Sequence, residues 1–183
     1  MNKIYMYLLC VLTLPSATLA EGIDLSQWRM SAGGSALFQF VVDKNKNTRF
    51  DAEFSPEFGV YLIDGLEAFV RLRLSGPLAV NATRGYEAQP ITYGASLGAQ
   101  YFFDTGSVFY PYIGVSLGAD AHGSLTNRSW TVEVPAGVMI AINNNLGLTI
   151  GVAVRSETTF FDFASPSVVY LPFGIFGLKG FFN

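Results

Sequence analysis

Any chemistry in this chain has to come from a small set of ionisable side chains. The segment DAHGSLTNRSW (120–130) holds His122, the single histidine, with Asp120 two residues before it and Ser124 two residues after. On an extended strand the three would share a face. Serine beside histidine and a carboxylate is the inventory of hydrolytic catalysis, in which the imidazole takes the hydroxyl proton. Gly123 and the loop-like surroundings count against a fixed geometry at that point. Charge is also concentrated in FDAEFSPEFGVYL (50–62), where Asp51, Glu53 and Glu57 stand one step from Phe50, Phe54 and Phe58. Glu67, Arg71 and Arg73 follow at odd positions, and Arg29, Glu133 and Arg155 lie farther away in the chain. Carboxylates and guanidiniums gathered in one place can carry protons or ions, or can neutralise one another as a structural plug. Because an unpaired buried ion is costly, the plug is the reading adopted.

Those side chains are carried by alternating sequence. Eight stretches repeat apolar and small or polar residues with a period of two, at 28–42, 50–63, 66–74, 91–103, 108–119, 130–142, 146–154 and 168–182. This is the pattern of strands with two unlike faces. The eighth stretch is apolar on both faces and leaves its register open. The connections alternate too. Those at 64–65, 104–107 and 143–145 are short and carry turn residues, whereas 43–49, 75–90, 120–128 and 156–167 are longer. Tight turns at one end and longer connections at the other describe an antiparallel meander closed into an eight-stranded transmembrane β-barrel.

Which face lies inside follows from what each face lacks. The apolar faces of the first seven stretches carry no charge. The opposite faces are rich in glycine, for example Gly59, Gly94, Gly98, Gly114 and Gly151. Glycine weakens a strand and gives a watery surface nothing, but it makes room inside a lumen only wide enough for side chains to fill. The apolar faces therefore point to lipid and the charges inward. A hairpin at Asp64–Gly65 that keeps both polar faces inward sets Glu57 beside Arg71 or Arg73. Trp28, Phe50, Tyr93, Phe103, Phe109 and Trp130 fall near strand ends, as girdle residues would. Pro56, Pro111 and Pro135 cannot donate to a ladder, so bulges or strand-end positions are expected there.

Composition agrees. Charged residues make up 14% of the chain, against roughly 25% in soluble domains. A net charge of −3 offers no basic patch, so nucleic acid is not a partner. Residues 1–20 read as a secretory signal: Lys3, an apolar stretch too short to span a bilayer as a helix, then ATLA before the cut. Its removal takes away Cys10, the one cysteine, and neither a cofactor nor a metal is expected.

FYPYIGVSLGAD (109–120) and WTVEVPAGVMIAINNNLGLTIGVAVR (130–155), with the signal and the eight strands, resemble small outer-membrane barrels of the OmpA transmembrane-domain and opacity-protein type. The resemblance implies a bacterial outer-membrane location with both termini periplasmic. It implies contact with outer-membrane lipid and lipopolysaccharide, and with the barrel-assembly machinery, which reads a terminal aromatic. Here Phe182 is followed by Asn183. Function is then expected to be structural or through the outer loops, with 75–90 and 156–167 the candidate contacts for an extracellular partner. Two alternatives remain. A lipid A deacylase-like enzyme would use His122, although Leu125 stands where that family's motif has asparagine. A narrow pore or carrier of a small hydrophobic ligand would have to pass Tyr110, Tyr112 and Arg71.

Overall fold

The computed structural model describes residues 22–42, 48–81, 91–123, 128–159, 168–170 and 173–182. The signal at 1–20 lies outside these. The strands are β1 (Met30–Val42), β2 (Thr48–Ile63), β3 (Leu66–Asn81), β4 (Thr92–Phe102), β5 (Phe109–His122), β6 (Arg128–Asn143), β7 (Leu146–Thr159), β8 (Val168–Tyr170) and β9 (Phe173–Phe182). Each pairs antiparallel with its neighbour, and β9 joins β1 to β7 so that the sheet closes. The short β8 pairs with β7 beyond the last rung made by β9, so the two segments share one position in the wall. The result is an eight-stranded closed antiparallel barrel.

The faces divide as the alternation requires. Phe54, Phe58, Leu97, Val115, Leu117 and Phe176 are all more than half exposed on the outside. Glu57, Glu67, Arg73, Gln100, Glu133 and Lys179 are buried inside. The usual partition of a water-soluble protein is reversed. Tyr93 in β4 and Phe103, the residue directly after that strand, both reach the exterior and mark the two ends of the apolar band. With a rise of ~3.4 Å per residue and a tilt of ~40°, their separation along the barrel axis is ~25 Å, the height of a bilayer-facing band.

Several expectations need correction. The third strand does not stop at 74 but runs to Asn81, and the seventh runs to Thr159 rather than 154. Ser75, Gly76 and Pro77, and likewise Ser156 to Thr158, therefore belong to the wall, and the remainders of those two connections (82–90 and 160–167) lie outside the described residues. His122 belongs to β5, not to a loop. Pro56 and Pro135 produce no bulge. Rungs are missing between Phe54–Leu74 and Glu57–Arg71, and between Ile113–Ala136 and Ser116–Glu133, yet the register is the same on both sides of each gap. The absent proline N–H removes a rung, but flanking pairs hold the alignment. The register shifts that do occur lie at Phe50/Asp51, Tyr61/Ile63, Ala141/Asn143 and Gly151/Val152.

The segment before β1 closes the short-turn end. Ile23 and Leu25 are buried against Tyr61, Phe102, Tyr110, Tyr112, Met139 and Phe181. Its backbone is stitched to the wall: Gly65 N donates to Leu25 O at 3.0 Å, and Trp28 N to Tyr61 O at 2.7 Å. Leu25→Ala is expected to lower the unfolding free energy by about 2–5 kcal/mol, the cost of a cavity in a packed core. Leu62→Ala, at an outward position that is 40% exposed, should change it far less. Urea midpoints of the refolded barrel in detergent micelles check the difference.

Candidate functional site

The lumen is layered. Above the aromatic floor lies an ion-pair layer organised around Glu133, whose side chain is 2% exposed. Arg71 donates to its Oε1 at 2.7 Å, and Arg155 Nε and, more distantly, Arg73 reach its Oε2, at 2.7 and 3.3 Å. Arg155 also forks onto Glu53, with both contacts at 2.8 Å. This bidentate geometry is the strong form of the pair. Glu57 takes Arg71 at 2.6 Å and Lys179 at 2.7 Å. Lys179 also reaches Glu67 at 2.6 Å, and Gln100 donates to both Glu57 and Glu67. Arg73 meets Asp120 at 2.7 Å, and Ser31 donates to Glu67. The participants come from every position in the wall, β1 to β7 and β9.

Small residues permit this density. A Cβ at Gly59 would overlap the Glu67 carboxylate, and one at Gly94 would strike both the Asp120 carboxylate and the carbonyl of Ala119. A void of about 50 Å³ remains among the ion pairs, room for about three to five waters at ~10–15 Å³ each.

Of the residues singled out from sequence, Glu53, Glu57, Glu67, Arg71, Arg73, Glu133 and Arg155 come together. Asp51 lies on the same strand toward the long-connection end and is half-buried. Arg29 is placed elsewhere. It sits under the barrel, bonded to Asp24 O, Asn144 O and Asn145 Oδ1, and ties the N-terminal segment to the β6–β7 turn. Lys179 and Gln100 were missed, and Asp120, read from sequence with His122, instead joins Arg73. Lys179 stands in an otherwise apolar strand, and with glycine on both faces, at Gly174 and Gly180 as well as Gly177, the glycine rule that oriented the other strands gives it no direction.

His122 anchors a separate cluster nearer the long connections. Its Nδ1 is 2.9 Å from Thr92 Oγ1, and its Nε2 is 2.6 Å from Glu157 Oε1 and 3.0 Å from Ser129 Oγ. A hydrolytic triad needs the serine and the carboxylate on opposite ring nitrogens. Here both crowd Nε2, and the Ser129 hydroxyl donates to Glu157 instead. Ser129 is 1% exposed, and Asp120 is engaged by Arg73 and Thr131. Ser124 lies outside the described residues. The cluster is a clamp joining β4, β5, β6 and β7.

No protein-family model matches the chain, and no curated protein matches it in sequence. Among solved structures, the crystal structure of Neisserial surface protein A, NspA, is 20% identical, with a TM-score of 0.58, covering 85% of this chain and 96% of that one. The two share a fold. At that identity the likeness extends to the barrel and no further, and it does not single out the OmpA or opacity type.

Glu133→Ala would leave three guanidiniums facing one another in a closed lumen. The expected cost is about 3–5 kcal/mol, the range for breaking a buried pair. His122→Ala acts on a pair that is a quarter exposed, and should cost no more than about 1 kcal/mol. Denaturant titration of both variants tests the order. Equal losses would place the structural weight on the clamp instead.

Proposed function

We propose that this chain is a non-enzymatic integral outer-membrane protein of a Gram-negative-type bacterium, exported by residues 1–20 and assembled by the barrel machinery. Both termini are periplasmic, and the long connections face the exterior, where they meet partners. The reversed distribution of apolar and charged side chains carries this reading, since a band of exposed phenylalanine, leucine and valine around a salt-bridged lumen is tolerable only in lipid. Aromatics at both ends of the band, and tight turns confined to one end, support it further. NspA, which shares the fold, is by name a surface protein, and that agrees with a role outside the cell.

The lumen supports no wide passage. Guanidiniums and carboxylates fill its middle, and the aromatic floor with Ile23 and Leu25 fills one end. Conductance across a planar bilayer should be close to baseline. Ser129, the serine that the structure sets beside His122, would serve catalysis only with its hydroxyl freed from Glu157 and reachable by substrate.

Two measurements test the proposal. The barrel should fractionate with the outer membrane and migrate faster on a gel unheated than boiled. An epitope tag inserted after Arg84 should be labelled on intact cells, whereas one inserted after Asp64 should be labelled only after lysis. The reverse pattern would invert the orientation, and periplasmic recovery with unchanged migration would sink the membrane assignment.

A further inference from the structure

On the outside of the barrel, toward the long connections, the apolar surface dips into a furrow of about 540 Å³. Strand register explains it. In one row Leu72 lies beside Ala95, Ala95 beside Ala119, and Ala119 beside Trp130. In the next row toward the long connections come Leu74, Tyr93, Ala121 and Arg128. Three alanines on adjacent strands make a floor, and Ala121 is only 7% exposed. Leu72 and Tyr93 rise on one side and Arg128 on the other, with Trp130 two residues farther along the same face of its strand.

The furrow is part of the surface that elsewhere meets hydrocarbon, so its occupant has to be apolar along most of its length. Its rim is different. Of the lysines and arginines whose side chains are described, Arg71, Arg73, Arg155 and Lys179 are turned into the barrel and Arg29 is buried beneath it, whereas Arg128 is exposed at an outward position. A guanidinium pairs with phosphate in a fork, and tyrosine and tryptophan settle at headgroup depth. At the opposite end the exposed charges of the segment and turns are Asp24, Asp64 and Asp104, which repel phosphate.

We infer that this furrow binds one phosphorylated, multiply acylated lipid of the outer leaflet, with a chain along Ala95, Ala119 and Ala121 and a phosphate at Arg128. The leaflet rests on the orientation proposed above, but the furrow itself does not. A lipid held here would tie the rim of β4, β5 and β6 to its neighbours in the membrane and present a defined headgroup beside the long connections.

The test is native mass spectrometry of the folded barrel released from detergent after equilibration with bisphosphorylated lipid A. Wild type should retain one lipid. Ala95→Phe and Ala119→Leu, which fill the floor from outside and leave the lumen untouched, should lose it. Arg128→Gln should weaken retention about tenfold, the size of one charge-assisted hydrogen bond, and lipid A stripped of phosphate should bind wild type equally weakly. Folding of each variant is checked by heat-modifiable migration. Retention at wild-type level by both floor variants overturns the inference. So does equal retention of the phosphate-free lipid, because the proposal requires the headgroup. These outcomes are independent of tag labelling on cells, so a wrong orientation and an empty furrow are told apart.

Discussion

The wall is held closed by a polar array that crosses the lumen. In a soluble domain, apolar side chains leave water together and the core follows. Here the apolar side chains face outward and gain nothing by meeting one another across the barrel. Backbone hydrogen bonding is satisfied once the sheet closes, but it is indifferent to which residues pair. The inner face decides that. Glu57 lies directly across from Arg71, and Glu133 across from Arg155. A slip of one residue would move a charge to the lipid side and a leucine or valine inside. Each ion pair in the lumen is thus a register lock.

The layers divide the work by polarity. The aromatic floor contains Tyr61 and Phe102, with ring centroids 6.1 Å apart, and Lys179 stands 5.3 Å from the Phe102 ring where the floor meets the ions. That floor keeps water from the underside of the ion pairs, and low dielectric strengthens every contact within them. Such burial is also costly, which explains why none of Glu57, Glu67 and Glu133 relies on a single partner. Glu133 faces three guanidiniums, Glu57 has Arg71, Lys179 and Gln100, and Glu67 adds Ser31 to Lys179 and Gln100. Multiple partners spread the desolvation cost of each ion over several favourable contacts.

Much of this was legible in the chain because a barrel wall obeys a period of two over long stretches. Alternation located all eight strands, and glycine parity chose the inside. Seven of the nine charges chosen from sequence sit in the shared layer. Arg29 does not, because residues 22–28 fold under the barrel, and nothing periodic announces a segment outside the sheet. Strand ends also escaped. Past Leu74 and Val154 the alternation dissolves into Ser75-Gly76-Pro77 and Ser156-Glu157-Thr158, residues that read as loop, yet pairing with Asp51 and Ser129 neighbours carries β3 and β7 onward. Pro56 and Pro135 misled for a related reason, whereas Pro111 falls near the start of β5. A missing N–H was expected to bend the strand, but a closed sheet fixes each strand from both sides, and one absent rung cannot move it.

Where function lies follows from which side chains can still meet other molecules. Among the described residues, the lumen's carboxylates and bases are tied to one another, and His122 is tied to Thr92, Ser129 and Glu157. A group held in such a net cannot bind or release a substrate without dismantling its neighbours, and the void between them is small. Chemistry that engages other molecules is left to the exterior. Among the described residues the outer wall is almost uniformly apolar except at its rims, where Asp24, Asp64 and Asp104 are exposed at one end and Arg128 at the other. The same alternation that builds a sealed interior leaves the long-connection rim, where cation, aromatic rings and an apolar furrow meet, as the place where the proposed recognition would occur.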